Sequence, residues 1–233
     1  LNTVLLRLLF PLAAVGVAAY ATSRQWGLLN QVEMPGWLAV MLAVVVLDAA
    51  IYLQHVMFHA VPVFWRLHRV HHADLDFDVT TGARFHPIEI VLSMLIKFAV
   101  IVLLGPSVLA VVLFEILLNG TSMFNHANVR LPLAVDRLVR LLIVTPDMHR
   151  VHHSHLQHET NSNFGFNLSV WDRLFGTYRD QPEDGHMDMV IGIDTWRDPA
   201  HCIRLTGLLT LPFIGKVTDY AINRRNFDAR NEP

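Results

Sequence analysis

Four apolar runs, at residues 4–22, 37–58, 88–104 and 106–124, decide what this chain can fold into. A helix needs about 20 apolar residues to cross the hydrocarbon core of a bilayer, and the second run supplies that length outright. The first is apolar apart from Arg7 and has no small-residue cleavage site, so it reads as a retained helix. The third and fourth are broken by Gly105-Pro106 and lie near the short end, which predicts a tilted pair or a hairpin. A last patch, Ile203 to Ile214, carries Gly207 and Pro212 and is too short to span, so an interfacial or re-entrant helix is expected. Hydrophobic residues make up 53% of the chain and charged residues only 16%, too apolar a balance for a soluble domain. The predicted fold class is all-α: a multi-pass membrane helical bundle of about four transmembrane helices, with a His-rich helical cap. Residues 1–233 form one domain in this reading.

Two of the runs carry polar side chains at helical spacing. Asp48, Tyr52, His55 and His59 follow one another by 4, 3 and 4 residues, and Glu115, Asn119, Ser122 and His126 repeat that spacing. Each set forms a narrow stripe ending in histidine. An ionisable group at the centre of a membrane helix costs about 2.5–3.5 kcal/mol on insertion scales, so the stripes are expected to face an interior site rather than lipid. Asp48 and Glu115 are placed to accept an N–H from a ligating imidazole, or equally to bridge helices. Ser122 stands where the partner stripe has His55, and is expected near a metal-bound water rather than as a ligand. Lys97, eight residues after Glu89, is expected to snorkel or to face a cavity.

The chain has 14 histidines, most of them clustered. His55 and His59 form an H-x3-H pair. His68, His71 and His72 form H-R-V-H-H, and His149, His152 and His153 repeat the same pentapeptide. On a helix, positions i, i+3 and i+4 share a face, so each pentapeptide can present three imidazoles together. With His126 these make nine candidate ligands. One first-row metal takes about four to six ligands, so the set suits two ions, with positions left for water or O2. The single cysteine, Cys202, excludes an internal disulfide and a cluster held by four cysteines. Imidazole suits zinc, copper, iron or nickel. A structural zinc needs only four closed ligands, so redox chemistry at two irons fits nine imidazoles better. The competing readings are a non-catalytic membrane metal- or haem-binding protein and a zinc-filled interaction scaffold. A formal net charge of -2 offers no basic field for nucleic acid.

Tracing the runs in and out of the membrane puts every histidine cluster on one side. Arg66, Arg69, Arg84, Arg130, Arg137, Arg140 and Arg150 share that side, against chiefly Arg24 opposite. The asymmetry makes the His-rich face cytoplasmic, in a bacterial inner membrane or, in a eukaryote, the endoplasmic reticulum.

Taken together, D-x3-Y-x2-H-x3-H at Asp48–His59, H-x2-HH at His68–His72, His126 and H-x2-HH at His149–His153 resemble the fatty acid hydroxylase/sterol desaturase superfamily. The likeness extends to Arg84-Phe85-His86-Pro87-Ile88-Glu89, to the segment from Glu159 to Gly165, and to the segment from Trp171 to Tyr178, so it covers about residues 45–180. The resemblance implies a four-helix membrane domain with a cytoplasmic cap and a His-ligated pair of irons (Fe2+/Fe3+). It implies hydroxylation, desaturation or ether cleavage of a membrane lipid such as a fatty acyl chain or sterol, with O2 as co-substrate. No flavin or nicotinamide fingerprint is present, so electrons are expected from a separate donor protein of ferredoxin or cytochrome b5 type. Members of the superfamily often place an H-x3-H pair where this chain has Ser122 and His126. His86 and His155 are then the histidines whose role is open: metal binding, or, preferred here, hydrogen bonding around the ligands or in the cap. Asn163 is expected near the site or in a turn. Trp171, Phe175 and Tyr178 are expected to close the cap or meet the membrane interface, and His158, His186 and His201 to lie at the surface.

Overall fold

Proline sets the corners at which the histidine-bearing segments change direction. A residue before proline is held out of the helical region, while proline itself is favoured as the first residue of a helix. The computed structural model describes residues 9–215, 217 and 220–222. In it Val61 is extended (φ -96°, ψ 117°) and ends α2 (Gly36–Ala60), and Pro62 opens α3 (Pro62–His72). His86 is extended before Pro87, which opens α4 (Pro87–Leu104). Thr145 is extended before Pro146 and accepts a hydrogen bond from Met148 N as it caps α7 (Pro146–His152). All three corners place histidines at the same end of the molecule.

The bundle is built from α1 (Phe10–Ser23), α2, α4 and α5 (Val108–Asn125). Both α1 and α2 pack across α4 and α5. Ala14, Ala18 and Ala21, at i, i+4 and i+7, are fully buried on α1, and such small residues let membrane helices approach closely. Leu47, Met94, Ile101, Val111 and Phe114 fill the centre of the bundle. The outward faces carry exposed Trp37, Leu53, Leu95, Leu103 and Ile116, the surface that a lipid solvent demands.

Three helices are long and apolar enough to cross a membrane: α2, α4 and α5, with mean hydropathies of 2.2, 2.4 and 1.6. They coincide with the second, third and fourth apolar runs. The described part of α1 has 14 residues, about 21 Å of helix. The expected span at 4–22 also includes residues 4–8 and Arg7, which lie outside the described residues, so a fourth span does not follow from this structure.

Beyond α5 the chain forms a cap of short helices: α6 (Leu133–Val139), α7, α8 (Gln157–Thr160) and α9 (Val170–Leu174), then helical turns at Gly185–Asp188, Pro199–Cys202 and Leu205–Thr210. Among the described residues there is no strand, only isolated bridges such as Ile143–Leu168. The cap has its own core of Trp65, Val70, Ile193, Cys202, Leu211 and Tyr220. Arginines of α3 tie it down: buried Arg69 donates to Leu211 O and Ile214 O, both at 2.6 Å, and Arg66 donates to Pro212 O and Gly215 O. The 203–214 patch is therefore a short segment laid across α3, with Ile203, Leu205 and Phe213 exposed.

Two glycines lock the bundle end far from the histidines. Gly105 ends α4 in the left-handed region (φ 68°), and Gly27 (φ 91°) packs directly on it. Asn30 donates to Trp26 O and Gly105 O across this contact. A Cβ at Gly105 would abut Trp26 O and lie 2.5 Å from Asn30 Nδ2. Gly105→Ala is expected to destabilise the protein by about 1–3 kcal/mol, read as a lowered thermal midpoint in detergent. An unchanged midpoint would mean that the α1–α2 loop does not brace the α4–α5 hairpin.

Candidate metal centre

The nine clustered imidazoles come from four elements and meet in the interior, each no more than 4% exposed. They divide into two groups. His55, His59, His68, His72 and His152 form one, and His71, His126, His149 and His153 the other, with the ligating atoms of each group within 4.8 Å of one another. Neither pentapeptide stays in one group. From α3 the i,i+4 pair His68 and His72 enters the first group while His71 enters the second. From α7 the sense is reversed: His149 and His153 enter the second group and His152 the first. Aromatic rings close the space around them. Phe85 stacks on His71 at 4.4 Å, Phe164 lies 5.0 Å from His59, and Phe77 lies 5.1 Å from His153.

The outer ring nitrogens determine what the inner ones can do. Nδ1 of His55 meets Phe164 O at 2.8 Å, that of His71 meets Thr81 O at 3.0 Å, that of His126 meets Ser122 O at 2.9 Å, and that of His152 meets Ser162 O at 2.7 Å. Nδ1 of His68 meets Glu89 Oε1 at 2.6 Å and that of His59 meets Asn161 Oδ1 at 3.1 Å. Every one of these partners is an acceptor, so Nδ1 carries the proton and donates outward. Six Nε2 atoms are left as lone pairs facing inward. Yet Nε2 of His55 lies 3.1 Å from Nε2 of both His68 and His152, and Nε2 of His126 lies 3.4 Å from that of His71. Nε2 of His59 and His72 is buried with no partner. Lone pairs at such range repel, and a cation between them satisfies all of them at once. The donor set thus fits a metal in each group.

Three of the six anchors lie in one stretch, Asn161, Ser162 and Phe164. Asn163, at φ 52°, sits between the two carbonyls and holds the stretch in place. Its side chain donates to Met148 O and Arg179 O and accepts from Arg179 N. Fully buried Asp172 accepts from Phe164 N, Gly165 N and Thr177 Oγ1.

The stripes expected to support the ligands act at one remove. Asp48 has no imidazole partner: it accepts from Trp171 Nε1 at 2.8 Å and from Leu168 N at 3.2 Å. Tyr52 bonds Thr177 Oγ1 at 2.8 Å and stacks on Phe175. Both therefore secure the anchoring stretch through Trp171 and Phe175, the latter 54% exposed. Glu115 pairs with Lys97 at 2.7 Å, and Asn119 donates to Glu115 O. Ser122 contributes its backbone carbonyl to His126, and with Asn119 it lines a cavity of about 130 Å3 between α2, α4 and α5. Lys97 faces that cavity, which reaches His55 and His68.

His86 and His155 lie in neither group. His86 caps α4, accepting from Ile88 N at Nδ1 and donating to Leu209 O, while His155 bonds Asp194 at 3.0 Å. His158 is exposed and pairs with Glu183, while His201, expected at the surface, is half-buried near Asp198. His186 departs from its expected surface position: it is half-buried where Gly185–Asp188 packs on α7. Five of the six anchors, Glu89, Asn161, Thr81, Ser162 and Phe164, had no role assigned from sequence.

The matrix of buried rings shifts their basicity. Burial, reinforced by neighbouring imidazoles, holds His68, His71, His72, His149, His152 and His153 well below the usual histidine range, and burial takes His126 down to about 4. Below the ordinary value of 6.5 the unfolded chain binds more protons than the folded one, so stability falls with pH through that window. The metal-stripped protein is expected to keep a constant thermal midpoint above pH 6.5 and to lose stability steadily from there toward about pH 4. A flat profile across that interval would contradict this burial.

The sequence model described as fatty acid hydroxylase matches residues 40–177, which contain all nine imidazoles. The chain is 29% identical over 189 residues to ornithine lipid hydroxylase OlsE of Rhizobium tropici, covering 78% of this chain and 54% of that protein. It is 30% identical to alkylglycerol monooxygenase of Xenopus tropicalis, over 67% of this chain and 35% of the relative. It is 31% identical to the Homo sapiens alkylglycerol monooxygenase, over 58% and 29% respectively. The chain thus spans about half the length of the first of these relatives and about a third of the others. No solved structure matches it.

Proposed function

The chain belongs to the fatty acid hydroxylase family, and from that premise we propose that it forms the catalytic core of an O2-dependent enzyme that hydroxylates a C–H bond of a membrane lipid. The observation that carries this reading is the inward convergence of Nε2 lone pairs whose Nδ1 protons are all committed outward. His55, His59, His68, His72 and His152 hold one iron, and His71, His126, His149 and His153 hold the other. Two irons held there would supply the redox chemistry by which O2, with two electrons from a donor, puts one oxygen atom into an unactivated C–H bond and leaves the other as water. The names of the relatives, a lipid hydroxylase and alkylglycerol monooxygenases, favour hydroxylation over desaturation.

The chain's own residues position and exclude. Glu89 fixes the tautomer and orientation of His68. Phe77, Phe85 and Phe164 keep water from the imidazoles, which guards a strong oxidant against side reactions. The cavity between α2, α4 and α5 delivers substrate beside His55 and His68. The His-rich face is cytoplasmic on the arginine asymmetry, and a separate ferredoxin or cytochrome b5 type protein supplies electrons. Arg69, Arg140 and Arg150 are buried and paired within the cap, so a donor docks against other charges, such as exposed Arg130 and Arg137. A haem between facing histidines fits poorly, because neighbouring rings of both groups pack with centroids as close as 4.4–4.6 Å.

Metal analysis of purified protein, followed by lipid mass spectrometry under labelled O2, tests the reading. His152→Ala and His71→Ala each remove one ligand from a different group, and each is expected to lower metal content and abolish labelled product. Full activity in either variant overturns the assignment. Glu89→Gln, which keeps the shape but weakens the acceptor for His68, is expected to cut turnover or metal affinity by about 10- to 100-fold.

A further inference from the structure

Ionisable groups inside membrane helices need a reason to be there. In α2, α4 and α5 the histidines and Glu89 belong to the imidazole groups, and Asp48 is used by Trp171 and Leu168. Lys97 and Glu115 remain. They lie near the middle of α4 and α5, only 8% and 5% exposed, and pair at 2.7 Å. As a clamp between helices this pair has little to recommend it, since a buried ion pair is often no more stabilising than apolar side chains of the same volume.

The pair is also half-used. Among the described residues Lys97 spends one N–H on Glu115 Oε1, which leaves two ammonium protons and Glu115 Oε2 for another partner. Both residues line the same cavity as His55 and His68. Gln54, on that wall, donates to Ser93 Oγ and keeps a buried, unpartnered Oε1. A plain alkyl chain in this space would leave all these groups unsatisfied. A free anion would meet the Glu115 carboxylate.

We propose that Lys97 and Glu115 select the substrate: they hydrogen-bond a neutral group that both donates and accepts, a hydroxyl or an amide, on the lipid in the cavity. This inference rests on the hydroxylase reading for the location of the reacting carbon, at the His55–His68 end. Lys97 is eight residues along α4 from Glu89, the anchor of His68, so the polar group lies about 12 Å from that end.

The test compares labelled primary alcohols and primary amides with the alkanes and carboxylic acids of the same length, for binding to the detergent-solubilised, metal-loaded protein and, with O2 and a reduced ferredoxin supplied as electron donor, for oxidation. Wild type is expected to bind alcohol and amide about 10- to 100-fold more tightly than the alkane or the acid, with the preference peaking at one chain length. In Lys97→Met/Glu115→Leu, which leaves no unpaired charge, the preference collapses while metal content stays at the wild-type level. No preference in wild type, one independent of chain length, or one unchanged in the double variant overturns the proposal. If the double variant loses its metal, the wild-type chain-length profile decides alone. Selective binding without any oxidation would sink the hydroxylase reading and leave the selectivity standing, whereas equal binding and oxidation of all four would do the reverse.

Discussion

The structure depends on one interaction, the outward donation of imidazole Nδ1 protons to fixed acceptors. A neutral imidazole has one donor and one acceptor nitrogen. Once Phe164 O, Thr81 O, Ser122 O, Ser162 O, Asn161 and Glu89 have taken the Nδ1 protons, the inner nitrogens of those six rings have no proton to share among themselves. Apolar packing holds the rings close but does not relieve that repulsion. The arrangement is costly for an empty chain and favourable for one that binds cations, which couples metal binding to folding.

Those acceptors need support of their own, and the bundle provides it across long stretches of chain. Asp48 and Tyr52 on α2 bind Trp171, Leu168 and Thr177; Thr177 and Asp172 hold the backbone from Phe164 to Gly165; that backbone orients His55, while Ser162 orients His152. One α2 turn therefore supplies both a group-one imidazole and the foothold for its anchor. Such closed circuits hold a ring far more tightly than its own torsions would.

Much of this was legible in the chain itself. The nine imidazoles stand out because helical spacing puts i, i+3 and i+4 on one face, and three of the spans stand out because lipid requires long apolar runs. The partition into five and four did not stand out. It depends on how α3 and α7 are rotated against each other, a tertiary quantity with no local signal. Four of six Nδ1 partners are backbone carbonyls, to which side-chain identity gives no clue. The stripes on α2 and α5 were visible, but the partners of Asp48 were not, since Trp171 lies 123 residues away. Glu89 sat within a noted motif without a role because its target, His68, is reached only after the chain turns at Pro87.

The crossed partition of the two pentapeptides has a mechanical consequence. Each of α3 and α7 contributes to both groups, two imidazoles to one and a single imidazole to the other. His72 and His153, from different helices and different groups, stack at 4.7 Å. Neither helix can shift to relax one group without disturbing the other. Two separate sites, each on its own helix, would fill and distort independently. Two sites sharing both helices are forced into a common geometry, so their spacing is set by the α3–α7 interface rather than by any flexible side chain. That is the property a reaction needing both centres at a fixed distance demands, and helix packing supplies it here before any substrate arrives.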